Sequence, residues 1–199
     1  VHVKTAALLC HKPESTLTPD ERNKGKTANF AFCYGMTTRG AARQYNMDEK
    51  EAERLRNSYF ATFVDIGAWH RWAFAELRRN PLLATPFGFK RRFWGRSDDH
   101  NTIKSYLGFI PEATVAQLCN DSVQMLVEQA FDWLPVILLI HDGFLLETDP
   151  TLAGKAVSLI NEICLRPITM RDFRGHERTY TIPLTISQGV SWGELSKIV

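Results

Sequence analysis

The pattern of apolar and polar positions predicts helices through the first half of the chain. Apolar residues recur at helical spacing in four segments, residues 2–9, 18–35, 48–63 and about 67–79. Asn80-Pro81 should end the fourth segment, because proline cannot continue a helix. Pro86 and Gly88 predict a hairpin across residues 85–93.

The pattern changes beyond about residue 95. A long helix is predicted from Glu112 or Thr114 to about Trp133, because Pro111 precedes it and Pro135 follows it. A further helix is predicted over residues 149–165, and a strand over residues 178–187.

A short hairpin is predicted between these helices. Residues 136–140 are all apolar, which is typical of a central strand buried on both faces. His141-Asp142-Gly143 predicts a tight turn, and residues 144–147 return as the partner strand. The second half is therefore expected to be α+β, with an antiparallel sheet backed by helices.

Composition is that of a globular protein. The 199 residues are 44% hydrophobic and 23% charged, enough for one large domain or two small ones. The four cysteines, at positions 10, 33, 119 and 164, form no CxxC pair, which favours a reduced, intracellular protein and argues against zinc. No apolar run is long enough to cross a bilayer. Because the first residue is valine, we expect a piece of something longer.

Basic residues cluster although the net charge is only +2. Arg91 and Arg92 lie in a segment, residues 87–96, where basic and aromatic residues alternate. Two interpretations stay open for it, a solvated surface turn and contact with a nucleic acid backbone.

The second predicted helix carries a four-residue pattern. Arg22, Lys26, Phe30 and Tyr34 would share one face about 18 Å long. The two cations suit a polyphosphate, and the two rings suit a base or sugar. The alternative is an amphipathic core helix with two solvated basic residues.

The tip of the predicted hairpin carries a carboxylate. Asp142, beside His141, is well placed to hold a divalent cation. The alternative is that Asp-Gly is simply a good turn. A helix that grips phosphates and a metal-binding carboxylate are together the parts needed for nucleotidyl transfer.

These two segments resemble known polymerase motifs. Arg22-x3-Lys26-x3-Phe30-x3-Tyr34-Gly35 resembles motif B of the family A DNA polymerases, the bacterial polymerase I type. Residues 136–147 resemble their motif C, and the order and separation match. The resemblance covers essentially the whole chain. It implies an α+β right-hand fold, with residues 1–95 as fingers and residues 96–199 as the C-terminal part of the palm.

The resemblance implies a role for each nucleotide-binding residue. Arg22, Lys26 and His2 would contact the triphosphate of the incoming dNTP. Phe30 would stack near the sugar, and Tyr34 would lie beside the nascent base pair.

It also implies roles at the catalytic turn and on DNA. Asp142 would bind the catalytic Mg²⁺ ions, and His141 would lie near the primer end. The residues expected to contact DNA are Lys104, Glu112, Arg91 and Arg92.

Three departures from the family pattern stand out. Gly143 follows Asp142 where the family commonly has a second acid, and Glu112 stands where a glutamine is usual. The other metal-binding aspartate should lie before residue 1. Since two bridged metal ions need at least two carboxylates, we expect the site to be shared with an aspartate outside this sequence.

The leading hypothesis is therefore a template-directed DNA polymerase that acts on primer-template DNA and dNTP. A second polypeptide or an N-terminal portion would supply the other aspartate, the thumb and any exonuclease. One alternative is a catalytically inactive nucleotide- or DNA-binding subunit, and a lesser one is a single-subunit RNA polymerase. The expected location is the cytoplasm or nucleoid, with a phage-infected cell as a further option.

Overall fold

The computed structural model describes residues 1–198 and shows two compact units. One unit contains residues 1–84 and 90–110, and the other contains residues 85–89 and the residues from 111 onward. The division near residue 95 expected from the family resemblance stays a prediction.

The first unit is mainly helical, as the sequence pattern predicts. Its complete elements are α1 (His2–Cys10), α2 (Pro19–Cys33), α3 (Thr38–Tyr45), α4 (Glu49–Thr62), α5 (Val64–Arg79), β1 (Leu82–Ala84) and β2 (Lys90–Arg92). Strands β1 and β2 pair antiparallel, which confirms the predicted hairpin.

Local sequence explains where α2 and α4 begin. At α2, the Thr18 side chain accepts a hydrogen bond from the Glu21 amide, and the Glu21 carboxylate accepts one from the Thr18 amide. This reciprocal pair satisfies amides that have no partner inside the helix. Asp48 caps α4 by accepting from the Glu51 amide at 2.8 Å.

Helix α3 is absent from the predicted elements. Its signals are a Thr37 side chain that accepts from the Gly40 amide and an Asn46 in the left-handed conformation at its end. It has only eight residues, and its apolar ones are few, Ala41, Ala42 and Tyr45, so the stretch is too short and too polar to show a repeating apolar pattern.

The core of the first unit lies among α2, α3 and α4. Fully buried Phe32 and Tyr59 have ring centroids 5.0 Å apart, and four smaller side chains complete the cluster: Ala28, Ala41, Ala52 and Leu55. This packing fixes which face of α2 points inward and which is left to solvent.

The long helix is longer than predicted. Helix α6 runs from His100 to Ala130 with Pro111 inside it, so the predicted start at Glu112 or Thr114 is wrong. Proline removes one backbone hydrogen bond and does not by itself end a helix whose two sides are otherwise well supported. Pro111 is also the residue at which the two units divide.

The remaining elements belong to the second unit. They are β3 (Val136–Ile140), β4 (Gly143–Leu146), α7 (Ala153–Cys164), β5 (Ile168–Arg171), β6 (Glu177–Tyr180), β7 (Ser187–Gln188) and β8 (Ser196–Lys197). Within residues 1–198 the strands form two-stranded antiparallel sheets only. The α+β class is confirmed, whereas the strand predicted over 178–187 extends only to Tyr180.

The strand predicted to be buried on both faces is half exposed. Ile137, Leu138 and Leu139 are 51%, 46% and 51% exposed. The reason is that β3 pairs only with β4 among the described residues, and the hairpin packs on α6 and α7 through Phe144 and Leu146. Across residues 1–198, no helix has the length and apolar character needed to span a membrane.

Candidate functional site

Helices α1 and α2 pack against each other without a gap. A Cβ added at Gly25 would lie 2.6 Å from the backbone Cα and nitrogen of Ala6, closer than real Cβ atoms approach. Ala6 and its neighbour Thr5 are fully buried at this contact. Glycine at position 25 therefore lets α1 lie directly on α2. This contact brings His2 of α1 beside Phe30, on the exposed side of α2.

Three aromatic rings line this exposed side of α2. The ring centroids of His2 and Phe30 are 5.6 Å apart, and those of Phe30 and Tyr34 are 6.4 Å apart with nearly parallel planes, at 10°. Phe30 is 44% exposed although it is apolar, so its ring is available to a ligand. This arrangement offers a stacking surface to a flat ring.

Two cations lie close to the same rings. Arg22 and Lys26 are exposed on α2, about two turns and one turn before Phe30. Burial lowers the pKa of His2, and neighbouring positive charges, including those of Lys26 and Arg22, lower it further. The structure therefore brings together all five residues predicted to bind the nucleotide, which we call the α2 face: His2, Arg22, Lys26, Phe30 and Tyr34.

A buried polar network holds the α2 face from behind. The Tyr59 hydroxyl donates to the Asn29 side-chain oxygen at 2.9 Å and lies 3.2 Å from the Cys33 sulfur. The Thr5 hydroxyl donates to the same Asn29 oxygen at 3.5 Å. Burial raises the pKa of both Tyr59 and Cys33, so both stay neutral near pH 7. This network, which ties α1 and α4 to α2 beside Phe30, was not predicted from the sequence.

His70 adds a further contact at the C-terminal end of α2. Its Nε2 atom lies 2.8 Å from the carbonyl oxygen of Cys33, the last residue of the helix. Because a carbonyl can only accept, the ring donates from Nε2. Burial lowers the pKa of His70, which is 4% exposed. No sequence signal separates this histidine from the others, because its partner lies 37 positions away.

The β3–β4 hairpin presents Asp142 in a two-residue turn. Ile140 pairs with Gly143, so the turn residues are His141 and Asp142, both exposed. The positive φ of 54° falls on His141, while Gly143 keeps an ordinary strand conformation. The predicted hairpin is confirmed, although its tip lies one residue earlier than the Asp-Gly signal indicates.

The second unit places this carboxylate near α6. Burial raises the pKa of the Cys119 thiol, and the negative charge of Asp142 raises it further. Within residues 1–198 no group of three or more His, Cys, Asp or Glu side chains could hold a metal ion. A single exposed carboxylate does not make a complete Mg²⁺ site, so the residues present do not fit the predicted pair of ions by themselves.

The four residues predicted to contact DNA are all exposed. Arg91 and Arg92 form most of β2, with the Arg91 guanidinium 4.8 Å from the Phe93 ring centroid. Lys104 and Glu112 project from α6. Each side chain is accessible to a ligand, and their roles stay predictions.

The sequence profile of DNA polymerase family A matches residues 1–194. The chain belongs to this family. DNA polymerase I of Pseudomonas aeruginosa is 26% identical over 213 aligned residues, which cover 98% of this chain and 21% of that protein. The thermostable DNA polymerase I of Thermus aquaticus is 30% identical over 176 residues, which cover 82% of this chain and 20% of that protein.

A solved polymerase structure shows the same fold. It is the POL domain of Pol1 from M. smegmatis in complex with DNA primer-template and dNTP, and it is 21% identical with a TM-score of 0.72. The match covers 81% of this chain and 30% of that one. This confirms the predicted polymerase fold. The chain spans about a fifth of the length of the curated relatives it matches.

Proposed function

We propose that this chain is the fingers and C-terminal palm portion of a template-directed DNA polymerase. Residues 1–95 would form the fingers, and residues 96–199 would form the palm portion. The observation that carries the proposal is the α2 face, where two exposed cations and three aromatic rings lie on one surface. Membership of DNA polymerase family A supports it.

The α2 face suits a nucleoside triphosphate because its two ends differ. Arg22 and Lys26 provide fixed positive charge for the phosphates, and His2 adds a ring nitrogen beside them. Phe30 and Tyr34 provide parallel rings for the sugar and base. Binding along the helix would orient the triphosphate in one direction, with its phosphates toward the beginning of α2.

The reaction is transfer of a nucleotidyl group to a primer. The primer 3′ hydroxyl loses its proton to water and its oxygen forms a bond to the α-phosphorus, the bond from that phosphorus to the bridging oxygen breaks, and pyrophosphate leaves. Arg22 and Lys26 would stabilise the negative charge that builds up on the leaving pyrophosphate. Asp142 would contribute one carboxylate to metal binding, and His141 would lie near the primer end.

Partners outside this sequence are part of the proposal. The chain would bind dNTP and primer-template DNA, with Lys104, Glu112, Arg91 and Arg92 on the DNA. Since Asp142 belongs to no group of three or more possible metal ligands within residues 1–198, a second acid would come from a preceding portion of the polymerase or from another polypeptide, and Mg²⁺ would bind between them.

Nucleotide binding by matched variants tests the proposal. Lys26→Ala should weaken binding of dNTP at least about tenfold, because a charge-assisted hydrogen bond contributes about 1.5–3 kcal/mol. Lys24→Ala removes the same charge from the opposite side of α2, about 200° around the helix from Arg22, and should leave binding unchanged. Equal effects of the two changes, measured by calorimetry, would show that no specific site exists on this face.

A catalytically inactive nucleotide- or DNA-binding subunit is the second candidate. This alternative is favoured by Gly143 beside Asp142 and by the lack of a group of three or more possible metal ligands within residues 1–198. Primer extension separates the two. The active polymerase predicts Mg²⁺-dependent extension once a portion carrying the second acid is added, and loss of that extension with Asp142→Asn. The inactive subunit predicts DNA binding without extension in every mixture. The family assignment favours DNA over RNA synthesis, and competition of dNTP against rNTP tests this preference.

A further inference from the structure

We propose that Trp94 and the guanidinium of Arg92 form a platform on which an unpaired base of single-stranded DNA stacks. The proposal rests on the proposed polymerase function, in which the unpaired strand would be the template beyond the primer. It adds a binding residue, Trp94, at a position that the family resemblance did not single out.

Trp94 is unusually exposed for a tryptophan. The side chain is 88% exposed, whereas tryptophan normally contributes a large apolar surface to a core. The Arg92 guanidinium carbon lies 5.5 Å from its ring centroid, within the range of a cation–π contact. A ring that touches one guanidinium and is otherwise in solvent has room for a base.

The backbone on both sides of Trp94 is fixed. Phe93 is buried, with its ring centroid 4.9 Å from that of Tyr106. A Cβ added at Gly95 would lie 3.1 Å from the Thr102 Cβ, so the chain lies directly on α6 there. Trp94 is therefore displayed from an immobilised backbone, which lowers the conformational entropy lost when a ligand binds.

Thr102 is itself held in place. Its amide and hydroxyl donate to one Asp99 carboxylate oxygen at 2.8 Å and 2.9 Å. These bonds cap the beginning of α6 and fix the surface on which Gly95 rests. The outward direction of Trp94 is thus a consequence of the fold of the first unit and not of a mobile loop.

The positive charges beside the Trp94 ring favour a nucleic acid as its ligand. Lys90, Arg91 and Arg92 are exposed along β2, and in the part of the chain described no carboxylate forms an ion pair with them. Arg96, in contrast, is paired with Asp98 at 2.7 Å. Cations for phosphates next to an open aromatic ring are the usual combination for single-stranded nucleic acid. A duplex offers no free base face to the ring.

Binding of fluorescently labelled oligonucleotides, followed by anisotropy, tests the platform. Trp94→Ala should weaken binding of a thymidine oligonucleotide about fivefold or more, because stacking contributes about 1–3 kcal/mol per base. Trp94→Phe should retain most of the affinity. Phe131→Ala, which removes another exposed aromatic side chain in the other unit, should change nothing.

Three further ligands make the result specific. An abasic oligonucleotide and a blunt duplex should bind the protein and the Trp94→Ala variant equally, since neither presents a free base. A uridine oligonucleotide that bound more tightly than the thymidine one would overturn the assignment to DNA. Equal binding of the thymidine oligonucleotide by the protein and the Trp94→Ala variant, or an equal loss on the abasic strand, would overturn the platform.

The same variants distinguish a failure of the Trp94 platform from a failure of the proposed polymerase function. Trp94→Ala should leave dNTP binding at the α2 face unchanged. A failed platform with intact, Lys26-dependent dNTP binding would leave the polymerase proposal standing. Loss of both dNTP and oligonucleotide binding in the Trp94→Ala variant would show a general structural effect and overturn the platform.

Discussion

The Nε2 atom of His70 lies 2.8 Å from the carbonyl oxygen of Cys33, which joins α5 to the last residue of α2. The final carbonyls of a helix have no partner within the helix, so a side-chain donor there stabilises its end. The next residue is Tyr34, one of the rings of the α2 face. His70 therefore fixes the end of the helix where the rings of the α2 face lie.

His70→Leu should lower the free energy of unfolding by about 1–3 kcal/mol, because a buried carbonyl loses its donor. Urea denaturation measures the change. His100→Leu makes the same substitution at an exposed position and should have an effect within about 0.5 kcal/mol. Equal losses for the two variants would contradict a specific role for the His70 hydrogen bond.

Gly25→Ala should destabilise the protein, against the usual trend in helices. Alanine normally stabilises a helix interior by about 1 kcal/mol relative to glycine. At position 25 a methyl group would collide with the backbone of Ala6, and overpacking of this kind costs about 1–3 kcal/mol. Thermal unfolding measures the net change.

Gly154→Ala provides the matched control. Gly154 lies in α7 with nothing within 4 Å of an added Cβ, so alanine there should be neutral or stabilising. A higher melting temperature for Gly25→Ala would show that α1 and α2 can separate without cost.

The helices that the sequence predicted well are those whose signals are local. Thr18 and Glu21 lie three positions apart and complete their capping box without help from the rest of the chain. Helix α3 has such a cap but only eight residues with few apolar positions, so the apolar pattern did not predict it. Pro111 gave the opposite error, since a strong local signal was overridden by the continuity of α6.

The candidate site divides in the same way. The four-residue spacing on α2 was enough to place two cations and two rings on one face, whereas His2 was assigned by family resemblance. The supports of that face were not predicted, because Tyr59 and His70 reach α2 from 30 and 37 positions away. Exposure of Ile137 could not be predicted either, since an apolar run does not reveal how many strands cover it.

Nucleotide affinity should depend on the protonation of His2. In the free protein burial and neighbouring cations lower the pKa of His2, and a bound triphosphate would raise it by adding negative charge. The complex then binds more protons than the free protein, so affinity should rise as the pH falls through the pKa that His2 has in the complex. Anisotropy titrations with a labelled dNTP at several pH values measure this slope.

Two histidine variants show whether His2 causes this change of dNTP affinity with pH. His2→Asn should reduce it, while His11→Asn, an exposed position with a left-handed backbone that asparagine accepts, should not. Titration of the triphosphate itself is common to all three proteins. Identical slopes for the protein and His2→Asn would remove His2 from the site.

Glu21 should make the free energy of unfolding depend on pH in the acid range. A hydrogen bond from Lys12, followed by one from the Thr18 amide, lowers the pKa of Glu21 to about 2. In the unfolded chain the value returns to about 4.3. Between these values the unfolded state binds more protons, so the contribution is complete above about pH 4.3 and is lost as the pH falls toward 2.

Urea midpoints measured across that acid range test this linkage. Glu21→Gln should flatten the dependence, and Lys12→Met should flatten it in part by removing the main partner of the carboxylate. If neither substitution alters the slope, the Lys12–Glu21 pair does not persist in solution.

Gly143→Asp should be tolerated at the hairpin. Its φ is not positive, and an added Cβ would meet only the Ile140 carbonyl oxygen, at 3.6 Å. The free energy of unfolding should therefore change by less than about 0.5 kcal/mol. Gly175→Asp places the same side chain in equally open space but at a φ of +84°, and should cost about 1 kcal/mol. A large loss for Gly143→Asp alone would mean that the turn requires glycine.

The direct contact between Gly25 and Ala6 also limits how this protein can move. Two helices whose backbones touch without intervening side chains cannot slide or rotate past each other without a collision. Any swing of α2 toward a ligand must therefore carry α1 with it, and His2 would travel with Arg22, Lys26 and Phe30 as one rigid body.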